Sequence, residues 1–228
     1  YGADALGGVL IAKSEPINPE LLQGRIDLIG QSNGRGGSLN AEIEGGIAAI
    51  PNLAWRLQTS GKKLGNSKTA NYYLGNTGAE ELNWSTALQY QKNNHKWDVF
   101  YSRFATQIGI FYGAHIGTID DIFARIEHGK PLEDYGFTYD IAAPKQKVDH
   151  QLARLKYQYQ FQNEWKLDAQ YSWQRNHRKE FDMRRAVADD VPMSDMLLST
   201  QQLEILMKRK QHSFGISAVS QVNNNVEG

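Results

Sequence analysis

The chain has 228 residues with 25 basic and 25 acidic side chains, and this balance indicates no nucleic-acid or other polyanionic partner. It has no cysteine, which excludes disulfides, a thiolate nucleophile and cysteine metal ligands. Mean hydropathy is −0.56, and no run approaches the roughly 18 consecutive apolar residues of a membrane helix. A membrane β-barrel stays compatible with these values, because half of each of its strands faces water.

The opening segment, YGADALGGVLIAKSEP, is rich in small residues. Its glycines permit close backbone approach before an aliphatic strand, but it lacks the Lys-Ser/Thr ending of a phosphate loop and the spacing of a dinucleotide fingerprint. It resembles the last plug-domain strand of TonB-dependent outer-membrane receptors, which typically reads Tyr-Gly-small-Asp-Ala-aliphatic-Gly-Gly-Val. The residues that match this pattern are Tyr1, Gly2, Asp4, Ala5, Leu6, Gly7, Gly8 and Val9.

This resemblance implies a receptor of the siderophore or vitamin type rather than a polysaccharide importer. One departure follows the match, since Leu10, Ile11 and Ala12 replace the usual Asn-Ile. The resemblance divides the chain into the end of a plug domain, 1–16, and the N-terminal part of a barrel, 17–228. The sequence starts without Met, without a leader and without the family's TonB-engaging box, so we expect a processed chain or a piece of a longer protein.

Alternating apolar and polar residues predict the first strands, because strand side chains point to opposite faces in turn. A Pro-Asn pair at Pro51 and Asn52 predicts a tight connection between the second and third. Two aromatic residues, Phe100 and Phe104, disturb the alternation of the fifth. The predicted strands are 24–32, 39–47, 53–60, 82–91 and 97–108.

The longest connection, about 109–149, contains a predicted helix. Thr118 is a suitable N-cap with Asp121 three residues later, and Gly129 and Pro131 end the helix. Its apolar residues at helical spacing are Ile119, Ile122, Phe123 and Ile126. The helix is either a lid over a ligand vestibule or, as the sequence favours, an element that packs the loop against its neighbours.

The clearest pattern is a hairpin at 152–175 with its turn at 162–164. Apolar or aromatic residues occupy one parity: Ala153, Leu155, Tyr157, Tyr159, Phe161, Trp165, Leu167, Ala169, Tyr171 and Trp173. The other parity is polar and includes Arg154, Lys156, Lys166 and Asp168. Apolar runs of about ten residues with aromatic ends are typical of a transmembrane β-hairpin, with lipid outside and a wet lumen inside. A soluble β-sandwich shows the same alternation.

Connection lengths distinguish these two classes. After a link at 176–194 come two more predicted strands, 197–208 and 212–221, so short and long connections alternate along the whole chain. An outer-membrane barrel groups its long loops on the outer side in this way. The segments NTGAEELNWSTALQYQ and YSRFATQIGIFYGAHIG also resemble mid-barrel regions of the receptor family, particularly of its Bacteroidetes-like members.

The predicted fold is therefore all-β, an antiparallel meander of about nine transmembrane strands. Single-chain bacterial barrels have an even number of strands, plugged transporters have about 22, and unpaired edges in lipid are not tolerated. We therefore expect this chain to be part of a larger barrel of about 22 strands.

Residues for catalysis or metal binding are lacking in the sequence. Ser172 and Asp168 share a face without a histidine, and there is no nucleophile elbow, so we predict no enzyme and no cofactor. The six histidines show no His-x-x-x-His spacing, which argues against a metal site. The candidates for ligand contact are residues in the predicted outer loops: His115, Arg175, His177 and Arg178.

The resemblance implies TonB-dependent uptake of a ferric siderophore or a similarly scarce ligand. It also implies the outer membrane as location, its lipid as surroundings and the inner-membrane TonB complex as partner. Two other classes stay open: a passive or adhesive outer-membrane barrel, and a soluble β-sheet interaction domain.

Overall fold

The chain forms one open antiparallel sheet in a computed structural model that describes residues 16–114, 118–131, 133, 135–182 and 191–227. Nine strands follow each other in spatial order from β1 to β9, and every neighbouring pair is antiparallel. This confirms an all-β meander. The strands are β1 (Gln23–Gln31), β2 (Gly36–Ile47), β3 (Ile50–Leu64), β4 (Ala79–Lys92), β5 (His95–Gly109), β6 (Lys145–Gln160), β7 (Lys166–Phe181), β8 (Ser194–Arg209) and β9 (His212–Glu227).

The connections differ in length between the two ends of the strands. At one end of the strands, which we call the turn edge, the connections are 48–49, 93–94, 161–165 and 210–211. At the opposite edge, the loop edge, the connections are 32–35, 65–78, 110–144 and 182–193. The predicted alternation of short and long connections is thus confirmed from β2 onward, whereas the first connection, 32–35, is shorter than the turn-edge connection 161–165.

The predicted turn at Pro51 and Asn52 was wrong. The chain turns earlier, at Ala48 and Ala49, and both predicted residues lie in β3. A register shift between Gly46 and Ile47 accompanies the turn, and Asn52 has φ 67°. Asn tolerates this left-handed conformation. Asn52 therefore accommodates the register shift inside β3 and does not form the turn.

One face of the sheet, the apolar face, contains the odd-numbered residues of β6 and β7. Cross-strand registers place Ala153 opposite Trp173, Leu155 opposite Tyr171 and Tyr157 opposite Ala169. The predicted parity of the hairpin is therefore confirmed, since direct cross-strand partners share a face. On β5 the same registers put Trp97, Val99 and Tyr101 on this face and Phe100 and Phe104 on the other.

A continuous band of apolar side chains, which we call the apolar band, extends over all nine strands. Its aliphatic members are Ile26, Leu28, Leu39, Ile43, Leu57, Leu82, Leu88, Val99, Leu155, Leu167, Leu203, Ile205 and Ile216. Its aromatic members include Trp84 and Tyr101, whose rings lie 5.0 Å apart, and Trp97 and Tyr157, 4.2 Å apart. Leu28 and His177 share a register row, so the position of the apolar band shifts along the strands from β1 to β7.

The apolar band is not covered by another layer of the described residues. Leu28 is 77% exposed, Ile216 77% and Leu155 41%. In the described ranges the buried apolar side chains are few: Ile17, Ala54, Ala143, Pro144 and Phe181. Among the described residues, the sheet therefore has no second layer of the kind that packs against it in a β-sandwich.

The opposite face, the polar face, is paired by charges and amides across strands. Glu44 accepts hydrogen bonds from Arg56 and Gln23, and it is only 3% exposed. Asp168 accepts a hydrogen bond from Gln158 and lies 3.5 Å from the Lys208 ammonium. Further pairs are Lys62 with Glu81, at 3.3 Å, and the Arg154 guanidinium over the Phe100 ring, 5.5 Å from its centroid.

The segment before β1 lies against the polar face at the turn edge. The Ile17 backbone N–H donates to Gln89 Oε1 at 3.4 Å, and Ile17 is buried. A Cβ at Gly46 would lie 1.9 Å from the Pro19 carbonyl oxygen, so only glycine fits where this segment crosses β2. Residues 1–15, with the predicted plug motif, lie outside the described part of the chain.

The described residues include one α-helix, α1 (Ile119–His128), in the longest connection. Thr118 Oγ1 accepts a hydrogen bond from the Asp121 N–H at 3.2 Å, and the Asp121 carboxylate accepts one from the Thr118 N–H at 2.9 Å. Gly129 ends the helix in the left-handed conformation. The predicted capping box and C-terminus are confirmed. No helix in the described ranges has the length and apolarity needed to cross a membrane.

Candidate functional site

Two long connections at the loop edge, 65–78 and 110–144, pack together into a unit that we call the loop cap. The side chain of Asn76 joins the two connections by hydrogen bonds. Its Nδ2 lies 3.1 Å from the Ile110 carbonyl oxygen, 3.0 Å from that of Ala142 and 2.8 Å from that of Pro144, and its Oδ1 accepts from the Ala142 N–H at 3.0 Å. Because Asn76 is 3% exposed, water cannot replace these partners.

A second buried amide, Asn66, joins the same two connections. Its Nδ2 donates to the Gly136 carbonyl at 3.2 Å, its backbone N–H donates to the Thr138 carbonyl at 2.9 Å, and its Oδ1 accepts from the Thr77 N–H at 3.1 Å. A Cβ at Gly75 would lie 2.4 Å from the Tyr135 ring, so the two connections approach at van der Waals distance there. The loop cap is therefore held in one arrangement by specific contacts.

An aromatic crevice lies within the loop cap beside α1. It has a volume of about 370 Å³ and is lined by Tyr72, Leu74, Phe111, Tyr112, Arg125 and Tyr135, among others. Arg125 Nη1 donates to the Gly113 carbonyl at 2.6 Å, and the rings of Tyr112 and Tyr135 lie 4.8 Å apart. Burial, together with the neighbouring Glu133, raises the pKa of Tyr135, so its hydroxyl stays protonated at neutral pH. This crevice therefore combines aromatic surfaces with charged groups of both signs, Arg125 and Lys130 on one hand and Glu133 on the other.

An arginine with aromatic neighbours lies at the side of the loop cap nearest β2. The Arg35 guanidinium is 4.4 Å from the Phe137 ring centroid and donates to the Tyr73 hydroxyl at 2.9 Å. Tyr139 donates its hydroxyl to the Arg35 carbonyl. Arg35 has φ 44°, which ties this contact to a turn conformation that few residues adopt.

The predicted ligand contacts do not form one site. Arg175, His177 and Arg178 lie in β7 and not in a loop, because β7 continues to pair with β6 and β8 as far as Phe181. Arg175 and His177 are on the apolar face beyond the apolar band, with His177 bonded to Asp195, whereas Arg178 is on the polar face beside Glu180. His115 lies outside the described residues.

Sequence reasoning missed Asn66, Asn76 and Arg35. The available signal was local: Asn76 is followed by Thr77 and Gly78 and has φ 61°, a conformation that Asn favours over most residues. No pattern in the sequence indicated which distant carbonyl groups it would bind. Among the described residues, no three side chains of the types His, Cys, Asp and Glu cluster to hold a metal ion.

Comparison with known proteins gives no relative from which a role could be transferred: no protein-family model, no curated protein and no solved structure matches this chain.

Proposed function

We propose that this chain is part of an outer-membrane receptor that takes up a ferric siderophore or a similarly scarce ligand with energy from the TonB complex. The observation that supports it most is the uncovered apolar band on nine strands with a paired polar face behind it. Contiguous apolar surface of this extent marks a contact with a membrane or with another protein.

The dimensions of the band fit a bilayer. From Trp165 to Trp173 the hairpin presents apolar residues over eight residue steps, or about 26 Å along the strand. With the tilt of about 40° that is usual in membrane barrels, this corresponds to roughly 20 Å across the membrane, a little less than the apolar height of such barrels. Aromatic residues at both limits, Trp165 and Trp173, suit the two interfaces.

The open sheet supports membership in a larger barrel. Among the described residues, β1 and β9 each pair with a strand on one side only. Backbone groups left unpaired in lipid are very costly, so further strands would close the wall. The polar face would then line the lumen, and the segment 17–22, which lies against that face, would connect the barrel to a plug inside it.

The receptor role is supported by the loop cap. All the long connections lie at one edge, and two of them form an ordered unit with an aromatic crevice and a cation. In a barrel of this orientation the cap would face outward, above a plugged lumen, where a ligand first arrives.

Uptake by the full-length gene product tests this proposal. We expect the protein in the outer-membrane fraction, and uptake of a radiolabelled ferric siderophore that stops when the gene is deleted or when a protonophore collapses the inner-membrane potential. A panel of chemically different siderophores would identify the ligand class. Recovery as a monodisperse protein in buffer without detergent would overturn the membrane location and would favour a soluble interaction domain.

A passive or adhesive barrel is the second candidate, and the same uncovered band supports it. The protonophore separates the two functions. Ligand entry that is unaffected by the protonophore, or binding to host surfaces without any entry, would replace the energised receptor with this class.

A further inference from the structure

Three connections of the loop edge meet around Tyr73, beside the start of β2. The turn 32–35 is bound to the connection that carries Tyr73: the Asn33 side chain accepts a hydrogen bond from the Lys68 N–H at 2.6 Å and donates one to the Lys68 carbonyl at 3.0 Å. The longest connection contributes Phe137, whose ring centroid lies 5.8 Å from that of Tyr73. The position of Tyr73 is therefore fixed by contacts between segments that are far apart in the sequence.

Arg35, in that turn, is held by aromatic neighbours and is still exposed. Its guanidinium lies 4.4 Å from the Phe137 ring centroid, and one of its N–H groups donates to the Tyr73 hydroxyl at 2.9 Å. This hydrogen bond uses one of the five N–H donors that a guanidinium carries in a fixed plane. A guanidinium fixed in this way loses little freedom when it binds a planar carboxylate.

Two further polar groups lie beside this guanidinium. Because the Tyr73 oxygen accepts a hydrogen bond from Arg35, the proton of its own hydroxyl remains to be donated. The Lys68 ammonium lies 5.3 Å from the centroid of the same Tyr73 ring, and Lys68 is exposed. A guanidinium, a hydroxyl donor and an ammonium therefore lie around one aromatic ring, and they are the groups that bind a carboxylate.

The charges of these two cations are available to a ligand. In the part of the chain that the structure describes, no carboxylate lies within 4.0 Å of Arg35 or Lys68. The acidic side chains on this side of the loop cap act on another cation: Glu80 lies 2.7 Å from the Lys63 ammonium, and Asp140 attracts the same group. Lys63 is therefore neutralised and does not belong to the site, whereas Arg35 and Lys68 keep their attraction for an anion.

We propose that Arg35 and the Tyr73 hydroxyl bind a free carboxylate of the ligand that reaches the loop edge. Lys68 adds electrostatic attraction, and the Phe137 ring gives a flat apolar wall to the group that bears the carboxylate. The site rests on the proposed function and narrows its ligand from ferric chelates in general to those that keep a carboxylate not bound to iron. It is separate from the crevice beside α1.

Two ferric complexes on one trihydroxamate scaffold test the site: N-succinyl ferrioxamine B, which has a free carboxylate, and N-acetyl ferrioxamine B, which has none. Equilibrium dialysis with radiolabelled iron measures their binding to the full-length protein in dodecyl maltoside. We expect the wild type to bind the succinyl complex about tenfold more tightly. Arg35→Asn loses this preference, and Tyr73→Phe, which keeps the ring, lowers it about threefold. Lys147→Gln, at an exposed cation of β6 outside the loop cap, is the control and leaves the preference unchanged.

Asn is chosen at position 35 because it tolerates φ 44° and keeps the carbonyl that Tyr139 contacts. Limited proteolysis of the loop cap checks that this variant folds, and Tyr73→Phe carries the test if it does not.

Equal binding of the two complexes by the wild type, or an unchanged preference in the folded variants, overturns the site. So does failure to bind either the succinyl complex or ferric citrate. Competition by inorganic phosphate as strong as that by acetate overturns the assignment to a carboxylate. A protein that takes up ferric complexes with energy from the inner-membrane potential but shows no carboxylate preference loses only this inference, whereas a lack of uptake of every ferric complex contradicts the proposed function.

Discussion

The strand wall and the loop cap are held together by different forces. In the wall, backbone ladders join nine strands, and the apolar side chains of one face meet no other layer of the described protein. In the loop cap, individual side chains such as Asn66 and Asn76 bind carbonyl groups up to 70 residues away, and the rings of Tyr112 and Tyr135 pack on each other.

This difference means that the two regions respond to different kinds of substitution. The stability of the strand wall depends on the medium against its apolar face. The charge and polarity of a side chain there therefore matter more than its shape. The cap depends on a few buried amides, so the loss of one side chain removes several partners at once. The predictions below are directed at each of these dependences in the full-length protein.

The largest effect is expected from a charge in the apolar band. Leu155→Arg should destabilise the protein by about 3 kcal/mol, because an arginine near the middle of a bilayer costs that much in membrane barrels. Urea-induced unfolding from lipid vesicles, followed by tryptophan fluorescence, measures the change. Gln174→Arg, at an exposed position of the polar face on β7, is the control and should shift the unfolding free energy by less than about 0.5 kcal/mol. Equal effects of the two variants would show that lipid does not cover the band.

A smaller effect is expected from the loss of the Asn76 side chain, which joins the two connections of the loop cap. Asn76→Ala should cost about 2 kcal/mol, because it removes the Nδ2 donor from the carbonyl groups of Ile110 and Ala142 and the acceptor of the Ala142 N–H, while the Pro144 carbonyl keeps a hydrogen bond from the Ile110 N–H. Proteolysis of the cap at low protease concentration should accelerate while the wall stays intact. Asn71→Ala, at an exposed position of the same connection, is the matched control. Unchanged cleavage in Asn76→Ala would mean that the aromatic contacts alone hold the cap.

The N-cap of α1 gives a more local test. Thr118→Ala removes the side-chain acceptor of the capping box and should destabilise α1 by about 1 kcal/mol. Hydrogen exchange of the amides in 119–122 should rise roughly fivefold, since 1.4 kcal/mol is a factor of ten in an equilibrium constant. Thr118→Ser keeps the oxygen and should exchange at nearly the original rate. Equal exchange in both variants would assign the order of α1 to its packing.

The smallest effect is expected on the polar face of the wall. Ser85→Ala deletes an exposed hydrogen bond from Ser85 Oγ to Gln58 Oε1, 3.0 Å long, and should change the unfolding free energy by less than about 0.5 kcal/mol. The same vesicle assay measures it. A loss of more than about 1 kcal/mol would contradict the tolerance that we assign to this face and would place Ser85 in a cooperative network.

Strand number and face parity were predictable because the apolar band imposes a strict alternation. The hairpin around Tyr157 and Ala169 has the predicted faces for this reason. The extensions at the loop edge were not predictable. Beyond Trp173 both faces of β7 become polar, with His177 on one and Arg178 on the other, so the alternation disappears although the strand continues. The connection predicted from residue 176 therefore begins only after Phe181.

The candidate site was less accessible to sequence reasoning than the fold. The capping box of α1 was predictable because its two residues are three positions apart in the sequence. The structure confirms it at Thr118 and Asp121. The contacts of Asn76 depend on carbonyl groups near residues 110 and 142–144, which only the three-dimensional path of the longest connection brings close. Likewise, Arg35 meets Phe137 across about a hundred residues. Such long-range contacts produce no periodic pattern in the sequence.

The meander has a consequence for how the chain acquires its structure. Every strand pairs with the strand that precedes or follows it in sequence, and no connection crosses the sheet. Each hairpin can therefore form as soon as its own two strands are present, without waiting for a distant segment, and short-range pairing of this kind favours rapid folding. Addition of hairpins one at a time from β1 towards β9 needs no earlier pair to be broken, which suits stepwise assembly at a membrane surface.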